Sequence, residues 1–231
     1  MKNFLLCAAL AIFSSVDSNA QGLVGNSDQI GNSGGLITTS TRKKNVNIDG
    51  SPFVNESYLP IELTTFEDRN FKGRYNAYNG DMEVLDDENG KVFVLDKAMD
   101  NYVVKFIGLN KAYKVYSYID DDGYIESDFF ITLREDEKVT FLQRERIIFL
   151  EEKVAESTYD RGRPASYKRV KDKFYILIAG ENAQELPSKR KEIAKLFPDH
   201  SKEVLAFLKE HKTSTSDVEE LTEFMVFLNT L

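Results

Sequence analysis

The amino-acid sequence predicts an α+β protein: an antiparallel β-meander, forming either a curved sheet or a partly open barrel, followed by a small C-terminal segment of three helices. Two observations lead to this fold class. From about Phe53 to Gly180, short runs of β-branched and aromatic residues alternate with turn residues, and all 11 tyrosines lie between Tyr58 and Tyr175. From Ser188 onward the chain has no glycine or tyrosine, and its apolar residues recur at helical spacing.

Short strands are predicted throughout the middle of the chain. They are Phe71–Tyr78, Asp81–Leu85, Lys91–Leu95, Tyr102–Ile107, Ala112–Ile119, Tyr124–Leu133, Val139–Leu142, Ile147–Leu150, Tyr167–Val170 and Lys173–Ala179. The pairs Asn79-Gly80, Asn89-Gly90 and Asp122-Gly123 are hairpin signals, because the central residues of such turns take a positive φ. Strands joined by tight turns pair antiparallel, since parallel pairing needs a crossover of about a dozen residues.

Helices are predicted in the tail, over Lys189–Phe197, His200–Lys212 and Asp217–Asn229. Ser216 and Glu219 have the spacing of a capping box at the start of the last helix. An isolated helix of about 12–15 residues is only marginally stable in water. We therefore expect the last helix to pack on the rest of the protein, with Phe224 and Leu228 buried.

The first 20 residues are typical of a secretory signal peptide. The run Phe4–Phe13 is apolar, which suits a signal peptide and is too short for a membrane span of about 20 residues. Cys7 lies too early in the run to be the modified cysteine of a lipoprotein. We expect cleavage between Ala20 and Gln21, and a mature chain in the periplasm or outside the cell, or associated with the outer membrane.

The chain divides into four predicted segments: the signal peptide 1–20, a flexible linker 21–50, the antiparallel β domain 51–187 and the C-terminal helical segment 188–231. The linker is rich in glycine, serine, asparagine and threonine. Such a stretch buries too little apolar surface to offset the entropy lost on ordering.

Composition excludes several chemistries. The net charge of -8 argues against a nucleic-acid-coating protein. Cys7 is the sole cysteine, so the mature chain lacks thiol nucleophiles and zinc-thiolate or iron–sulfur ligands. The two histidines, His200 and His211, are about 16 Å apart if they share one helix, which is too far to share a metal. We expect no cofactor, no essential histidine and no transmembrane segment in the mature chain.

Four stretches of this chain resemble a family of exported proteins of Bacteroidota and their relatives. They are SPFVNESYLPIEL (51–63), FKGRYNAYNGDMEVLDDENGKVFVL (71–95), ESTYDRGRPASYKRVKDKFYIL (156–177) and KRKEIAKLFPDHSKEVLAFLKEHK (189–212). Members combine a signal peptide, a β-rich body and a Lys-rich helical tail. The resemblance implies export and this general build, and it carries over no activity or catalytic residues. Gln21 directly after the cleavage site is also similar to exported proteins of that phylum.

One basic segment is a candidate for contact with an anionic partner. It comprises Arg161, Arg163, Lys168, Arg169, Lys171 and Lys173. In an exported acidic chain, such a patch suits anionic lipid or polysaccharide, through phosphate or carboxylate pairing. The alternative is an edge strand protected by charge against pairing with other sheets, which is the more frequent explanation of such a segment.

Two further features have a structural and a functional interpretation. Tyr113, Tyr116, Tyr118 and Tyr124 form either a binding face or cross-strand packing, with Tyr116 and Tyr118 on one side of their strand. The acidic run 120–123 fails the EF-hand template and is expected to be a solvated turn.

The sequence therefore favours an exported cell-envelope protein that binds a partner or has a structural role without catalysis. Its partner would be an envelope protein, an anionic lipid or a glycan. The alternatives are a periplasmic carrier of lipid or glycan, and a hydrolase that uses a pair of acidic residues. A dry apolar cavity would favour a lipid carrier, and a cleft with two facing carboxylates would favour a hydrolase.

Overall fold

The structure is a computed structural model that describes residues 36–38, 48–64, 71–100, 103–155 and 161–231. The predicted signal peptide, its predicted cleavage site at Ala20 and Gln21, and most of the predicted linker lie outside the described residues. Within the linker, the described part includes a short strand, Leu36–Thr38, which pairs with a strand of the β domain.

Thirteen strands form the β part of the described residues. They are β1 (Leu36–Thr38), β2 (Leu59–Leu63), β3 (Phe71–Asn76), β4 (Asp81–Asp86), β5 (Val92–Leu95), β6 (Val103–Phe106), β7 (Lys111–Ile119), β8 (Ile125–Glu135), β9 (Val139–Arg144), β10 (Ile147–Leu150), β11 (Ser166–Arg169), β12 (Lys173–Ile178) and β13 (Gln184–Glu185). Every predicted strand is present, with shifted ends. The sequence analysis missed β1, β2 and β13.

Eleven strands form one antiparallel sheet in the order β1-β5-β4-β3-β2-β6-β7-β8-β9-β12-β13, while β10 and β11 form a separate hairpin. The α+β class and the antiparallel meander are thus confirmed. The meander is interrupted at three places: β1 pairs with β5 rather than with β2, the chain crosses from β5 to β6 on the free edge of β2, and the β10–β11 hairpin is inserted between the neighbours β9 and β12.

The sheet is strongly curled. Tyr75 on β3 donates a hydrogen bond to the carbonyl of Phe129 on β8 at 3.4 Å, although three strands separate β3 from β8 in the sheet. Ala183 binds the backbone of β7 through Ser117 and Ile119, at 2.9 and 2.8 Å. This contact brings the chain before β13 back onto β7 and closes β7, β8, β9, β12 and β13 into a ring.

Side chains fill the interior on both halves of the curl. The larger core includes Tyr75, Met82, Val104, Tyr113 and Phe129, each at most 2% exposed. A smaller aromatic core inside the ring consists of Tyr118, Phe130, Leu142, Tyr175 and Ala183. The burial of these side chains supplies the main driving force for folding in a chain without disulfides.

The tail contains α1 (Arg190–Lys195), a 3₁₀ turn (Pro198–His200), α2 (Ser201–Glu210) and α3 (Val218–Leu228). The three predicted helices are confirmed. They cover one face of β9 and β12, where Phe224 and Leu228 are 0% and 2% exposed, as expected. The part of the chain that the structure describes has no helix long and apolar enough to cross a membrane.

The predicted capping box was wrong by one residue. Asp217, not Ser216, caps α3, and its carboxylate accepts hydrogen bonds from the amides of Glu219 and Glu220, each at 3.0 Å. Ser216 instead contacts Ser214. Aspartate and serine are comparable capping residues, so the sequence alone did not distinguish the two positions.

Candidate functional site

A cleft of about 550 Å³ opens at one end of the ring, next to the β10–β11 hairpin. The β3–β4 turn, the β7–β8 turn, the end of β9 and the start of β12 and of the hairpin contribute to it. The lining side chains are Ala77, Tyr78, Tyr118, Asp120, Asp121, Asp122, Arg144, Arg146, Ile147, Ile148, Phe149, Lys173 and Tyr175. This set combines arginines, carboxylates and aromatic rings, which are the groups that bind polar ligands.

Arg144, the last residue of β9, is held rigidly at the floor of the cleft. Its Nη1 donates to the hydroxyl of Tyr118 at 3.1 Å, and its Nη2 donates to Oδ2 of Asp128 in a short contact. The guanidinium also lies 5.0 Å from the centre of the Tyr118 ring, within cation–π range. Arg144 therefore presents a fixed positive charge rather than a mobile one.

Asp128 is the buried anchor of this network, with a side chain only 3% exposed. Lys97 approaches its Oδ1 at 3.2 Å, and the amide of Phe129 donates to the same atom at 2.9 Å. Burial raises the pKa of the Asp128 carboxyl, and the charges of Arg144 and Lys97 oppose that shift without cancelling it. A carboxylate buried this deeply is tolerated because it is paired and hydrogen-bonded.

Lys173 forms a second ion-paired corner of the cleft. Its Nζ lies 2.9 Å from Oδ1 of Asp121 and 2.6 Å from Oε2 of Glu185. Burial lowers the pKa of Lys173, but the hydrogen bonds to the two carboxylates outweigh burial, so the pKa is raised. The hydrogen bond and charge of Lys173 lower the pKa of Asp121, with smaller effects from Arg146 and Arg144.

Arg146 differs from the other cations of the cleft. It makes no ion pair and no side-chain hydrogen bond within the part of the chain that the structure describes. Arg144 pairs with Asp128, and Lys173 pairs with Asp121. The guanidinium N–H groups of Arg146 are therefore available to a ligand, although its charge also lowers the pKa of Asp121.

The acidic run 120–123 forms the turn between β7 and β8. Asp120 Oδ1 accepts from the amides of Asp122 at 3.0 Å and Tyr124 at 2.7 Å, and Gly123 has a φ of +86°. The expected turn is thus confirmed. Among the described residues, no group of three or more potential ligands is placed to hold a metal ion.

An aromatic wall borders the cleft on the side of the hairpin. The ring of Tyr78 lies 6.4 Å from that of Phe149 and 5.4 Å from that of Tyr167, and Phe149 and Tyr167 are 5.2 Å apart. Tyr78 is 51% exposed, although its two neighbours fix its position. It offers a flat apolar surface at the entrance.

The predicted basic segment does not form one patch at this site. Of its six members only Lys173 lines the cleft. Arg169 pairs with Glu145 at 3.0 Å and with Asp172 at 2.6 Å, while Arg161, Arg163, Lys168 and Lys171 are exposed outside the cleft.

The four candidate tyrosines also separate. Tyr113 donates to the buried Glu145, whose other oxygen accepts from Lys111 at 2.8 Å. Tyr116 and Tyr118 lie on the opposite side of the strand, as predicted, and pack against the ring core. Tyr124 is 69% exposed beyond the cleft. The set is therefore mainly packing, and only Tyr118 contributes to the site.

The histidines lie in the helical tail, away from the cleft. His200 Nδ1 is 2.8 Å from Glu203, and the ring of His211 stacks on Phe207 at 4.1 Å. Sequence reasoning missed Asp128, Arg144 and Arg146. The one available signal was a lone carboxylate in the apolar strand SDFFITL, because a buried charge there requires a partner.

A second cleft, also of about 550 Å³, lies between the β6–β7 turn and the start of α3. Ile107, Leu109 and Val218 line it and are 54%, 38% and 40% exposed. Of its two lysines, Lys111 is paired with Glu145, whereas Lys105 is exposed and makes no ion pair among the described residues. We assign the candidate site to the first cleft because Arg144 and Arg146 both line it, and arginine forms bidentate hydrogen bonds that lysine cannot form.

Comparison with known proteins gives no match to this chain, whether with protein-family models, with curated proteins or with solved structures. The functional proposal for this protein therefore rests on the chemistry of the cleft.

Proposed function

We propose that this protein is an exported binding module without catalytic activity, and that its cleft takes an anionic ligand. The observation that carries the proposal is that Arg146, whose guanidinium makes no described ion pair, lines the same cleft as the anchored Arg144. Arginine forms bidentate hydrogen bonds with carboxylate and phosphate groups. Because Asp128 and Tyr118 already hold Arg144, little side-chain freedom is lost when a ligand binds it.

The exported location rests on the N-terminal sequence. The apolar run Phe4–Phe13 and the small residue Ala20 fit a cleaved leader, and the mature chain would begin at Gln21. Intact-mass analysis of the native protein tests this part of the proposal. A mass that starts at Met1, or a lipid on Cys7, would contradict it.

A lipid carrier has weaker support. The inside of the curl is occupied by side chains such as Tyr75, Met82 and Phe129. Carriers need an apolar cavity of the size of the lipid chain. The cleft itself is lined by charged groups, which suit a polar ligand.

A hydrolase with two acidic residues also has weaker support. The two most deeply buried carboxylates near the ring, Asp128 and Glu145, each have 3% exposed side chains and are engaged by cations. A catalytic carboxylate must reach the substrate or a bound water. Asp128 lies behind Arg144, which is a position suited to orienting that arginine.

Acetate is a suitable probe for the binding proposal. The mature chain is titrated with acetate, and backbone amide resonances of residues 120–122 and 144–149 are followed by NMR. We expect saturable shifts at these positions, weakened about tenfold in Arg146→Gln, since a charge-assisted hydrogen bond contributes about 1.5–3 kcal/mol. Arg190→Gln, which removes the same charge from α1, should bind like the wild type. Equal binding by both variants, or no saturable shift, would contradict the proposal.

A further inference from the structure

The charges of the cleft limit how many negative charges a ligand can carry. Arg144 is balanced by Asp128, and Lys173 by Asp121 and Glu185, at distances within ion-pair range. Arg146 makes no ion pair among the described residues, although its charge lowers the pKa of Asp121. The three cations that line the cleft face three lining carboxylates, those of residues 120–122. A polyanion would meet these carboxylates and be repelled. A ligand with a single acidic group fits best.

The groups that line the cleft with Arg146 differ in chemistry. The half-exposed ring of Tyr78, which packs against Phe149 and Tyr167, offers a flat apolar surface. The exposed carboxylates of Asp121 and Asp122 offer hydrogen-bond acceptors. A ligand that fills the cleft thus needs an apolar face, several hydroxyl donors and one anionic group.

We infer that the ligand is an acidic saccharide of the hexuronate class, an inference that rests on the proposed binding function of the cleft. The sugar carboxylate pairs with Arg146 and is close to Arg144. The face of C–H groups on the pyranose ring lies against Tyr78. Ring hydroxyls donate to Asp121 and Asp122. Each of the three contacts uses a group that the cleft already holds in place or leaves unpaired.

Three probes separate the contributions: a disaccharide of one galacturonic acid and one galactose unit, which has a single carboxylate and is called the acidic dimer, the neutral galactose dimer, and acetate. They are compared by calorimetric or NMR titration of the mature wild-type chain. We expect the acidic dimer to bind at least about tenfold more tightly than either of the others, and a tenfold difference corresponds to about 1.4 kcal/mol. The galactose dimer lacks the carboxylate, and acetate lacks the apolar ring face and the hydroxyl groups.

Variants of the aromatic wall supply the matched test. Tyr78→Ala should weaken the acidic dimer about tenfold and leave the affinity for acetate unchanged. Tyr124→Ala, which removes an exposed tyrosine outside the cleft, should leave both unchanged. Tyr78→Leu keeps an apolar contact with Phe149 and loses the flat ring, so it guards against an effect of Tyr78→Ala on folding.

The outcomes separate the saccharide from the binding function. If acetate binds through Arg146 but the acidic dimer binds no more tightly than acetate, the saccharide assignment is wrong and the binding function stands. If the acidic dimer binds equally to wild type and Tyr78→Ala, the placement of the ring on Tyr78 is overturned. If neither acetate nor the acidic dimer binds, the binding function itself fails.

Discussion

Arg144 and Asp128 form an ion pair in which the carboxylate is 3% exposed while the arginine keeps 26% of its side-chain surface exposed at the cleft. The pair joins β8 to β9 and places a positive charge at the mouth of the ring. Lys97, from the loop after β5, closes the network from a distant part of the sheet. One buried carboxylate thus connects the stability of the curl with the charge of the site.

Asp128→Asn should therefore be strongly destabilising. The variant leaves Arg144 and Lys97 without their buried counter-charge, which costs about 3–5 kcal/mol in comparable cases. The control is Asp87→Asn, whose exposed pair with Lys72 at 3.0 Å should contribute about 0–1 kcal/mol. Urea unfolding at neutral pH measures both. Similar midpoints for the two variants would mean that the Asp128 network is not a structural anchor.

Gly80 should tolerate substitution less well than Gly90, although each is the glycine of an Asn-Gly turn. Both have positive φ, +78° and +67°. A Cβ on Gly80 would lie 2.3 Å from Oδ1 of Asp128, whereas a Cβ on Gly90 meets nothing within 4 Å. Gly90→Ala should cost about 1–2 kcal/mol from backbone strain alone. Gly80→Ala should lose about 1–3 kcal/mol more, because the added methyl group overpacks against Asp128. Thermal or urea unfolding measures the stability lost by each variant, and equal losses would contradict this prediction.

The α3 helix allows the stability contributed by side-chain packing to be compared with that contributed by the helix cap. Phe224 is 0% exposed and its ring lies 6.0 Å from Phe141. Phe224→Ala should cost about 3–5 kcal/mol, and Asp217→Ala about 1 kcal/mol, because its carboxylate caps the helix. Ser216→Ala should be nearly neutral. A denaturant midpoint for Ser216→Ala that equals or lies below that of Asp217→Ala would contradict the observed cap.

Much of the fold could be predicted from local sequence because period and turn residues are local signals. The strand β2 was not predicted, and Pro60 within it is a residue that argues against a central strand. The structure accommodates Pro60 because β2 pairs with β6 only from Ile61 onward, while Pro60 lies opposite Lys72 of β3. The position of β6 next to β2, rather than next to β5, depends on this missed strand.

The cleft could not be predicted, for a different reason. Arg144, Asp128 and Lys97 meet because of strand register and the curl of the sheet, which are long-range features. The basic segment was conspicuous in the sequence, yet two of its members, Arg169 and Lys173, form ion pairs. Local charge density did not indicate which cations remain unpaired.

The raised pKa of Tyr58 predicts how the free energy of unfolding changes with pH. Burial, and then the hydrogen bond to Glu83 at 2.7 Å, raise the pKa of Tyr58 from 10.0 to about 12. Between these values the unfolded chain loses the Tyr58 proton while the folded chain keeps it, so this group lowers stability as pH rises through the window. The free energy of unfolding of Tyr58→Phe should therefore fall less than that of the wild type over this range.

Absorbance titration of tyrosine gives an independent check on Tyr58. The difference between wild type and Tyr58→Phe should show one tyrosine titrating near pH 12. Glu83→Gln should lower that midpoint, since the hydrogen bond and the charge of Glu83 both raise the Tyr58 pKa. A midpoint near the ordinary value of about 10 in the wild type would contradict this account.

The most direct test of the central claim observes the Arg146 side chain itself. Its Nε–H resonance is followed by NMR during titration of the mature chain with acetate, alongside that of Arg163, an exposed arginine outside the cleft. We predict a saturable shift of Arg146 with the same affinity as the backbone amides of the cleft, and no saturable shift of Arg163. An Arg146 resonance that does not move, or that moves no more than Arg163, would contradict the assignment of this cleft as an anion-binding site.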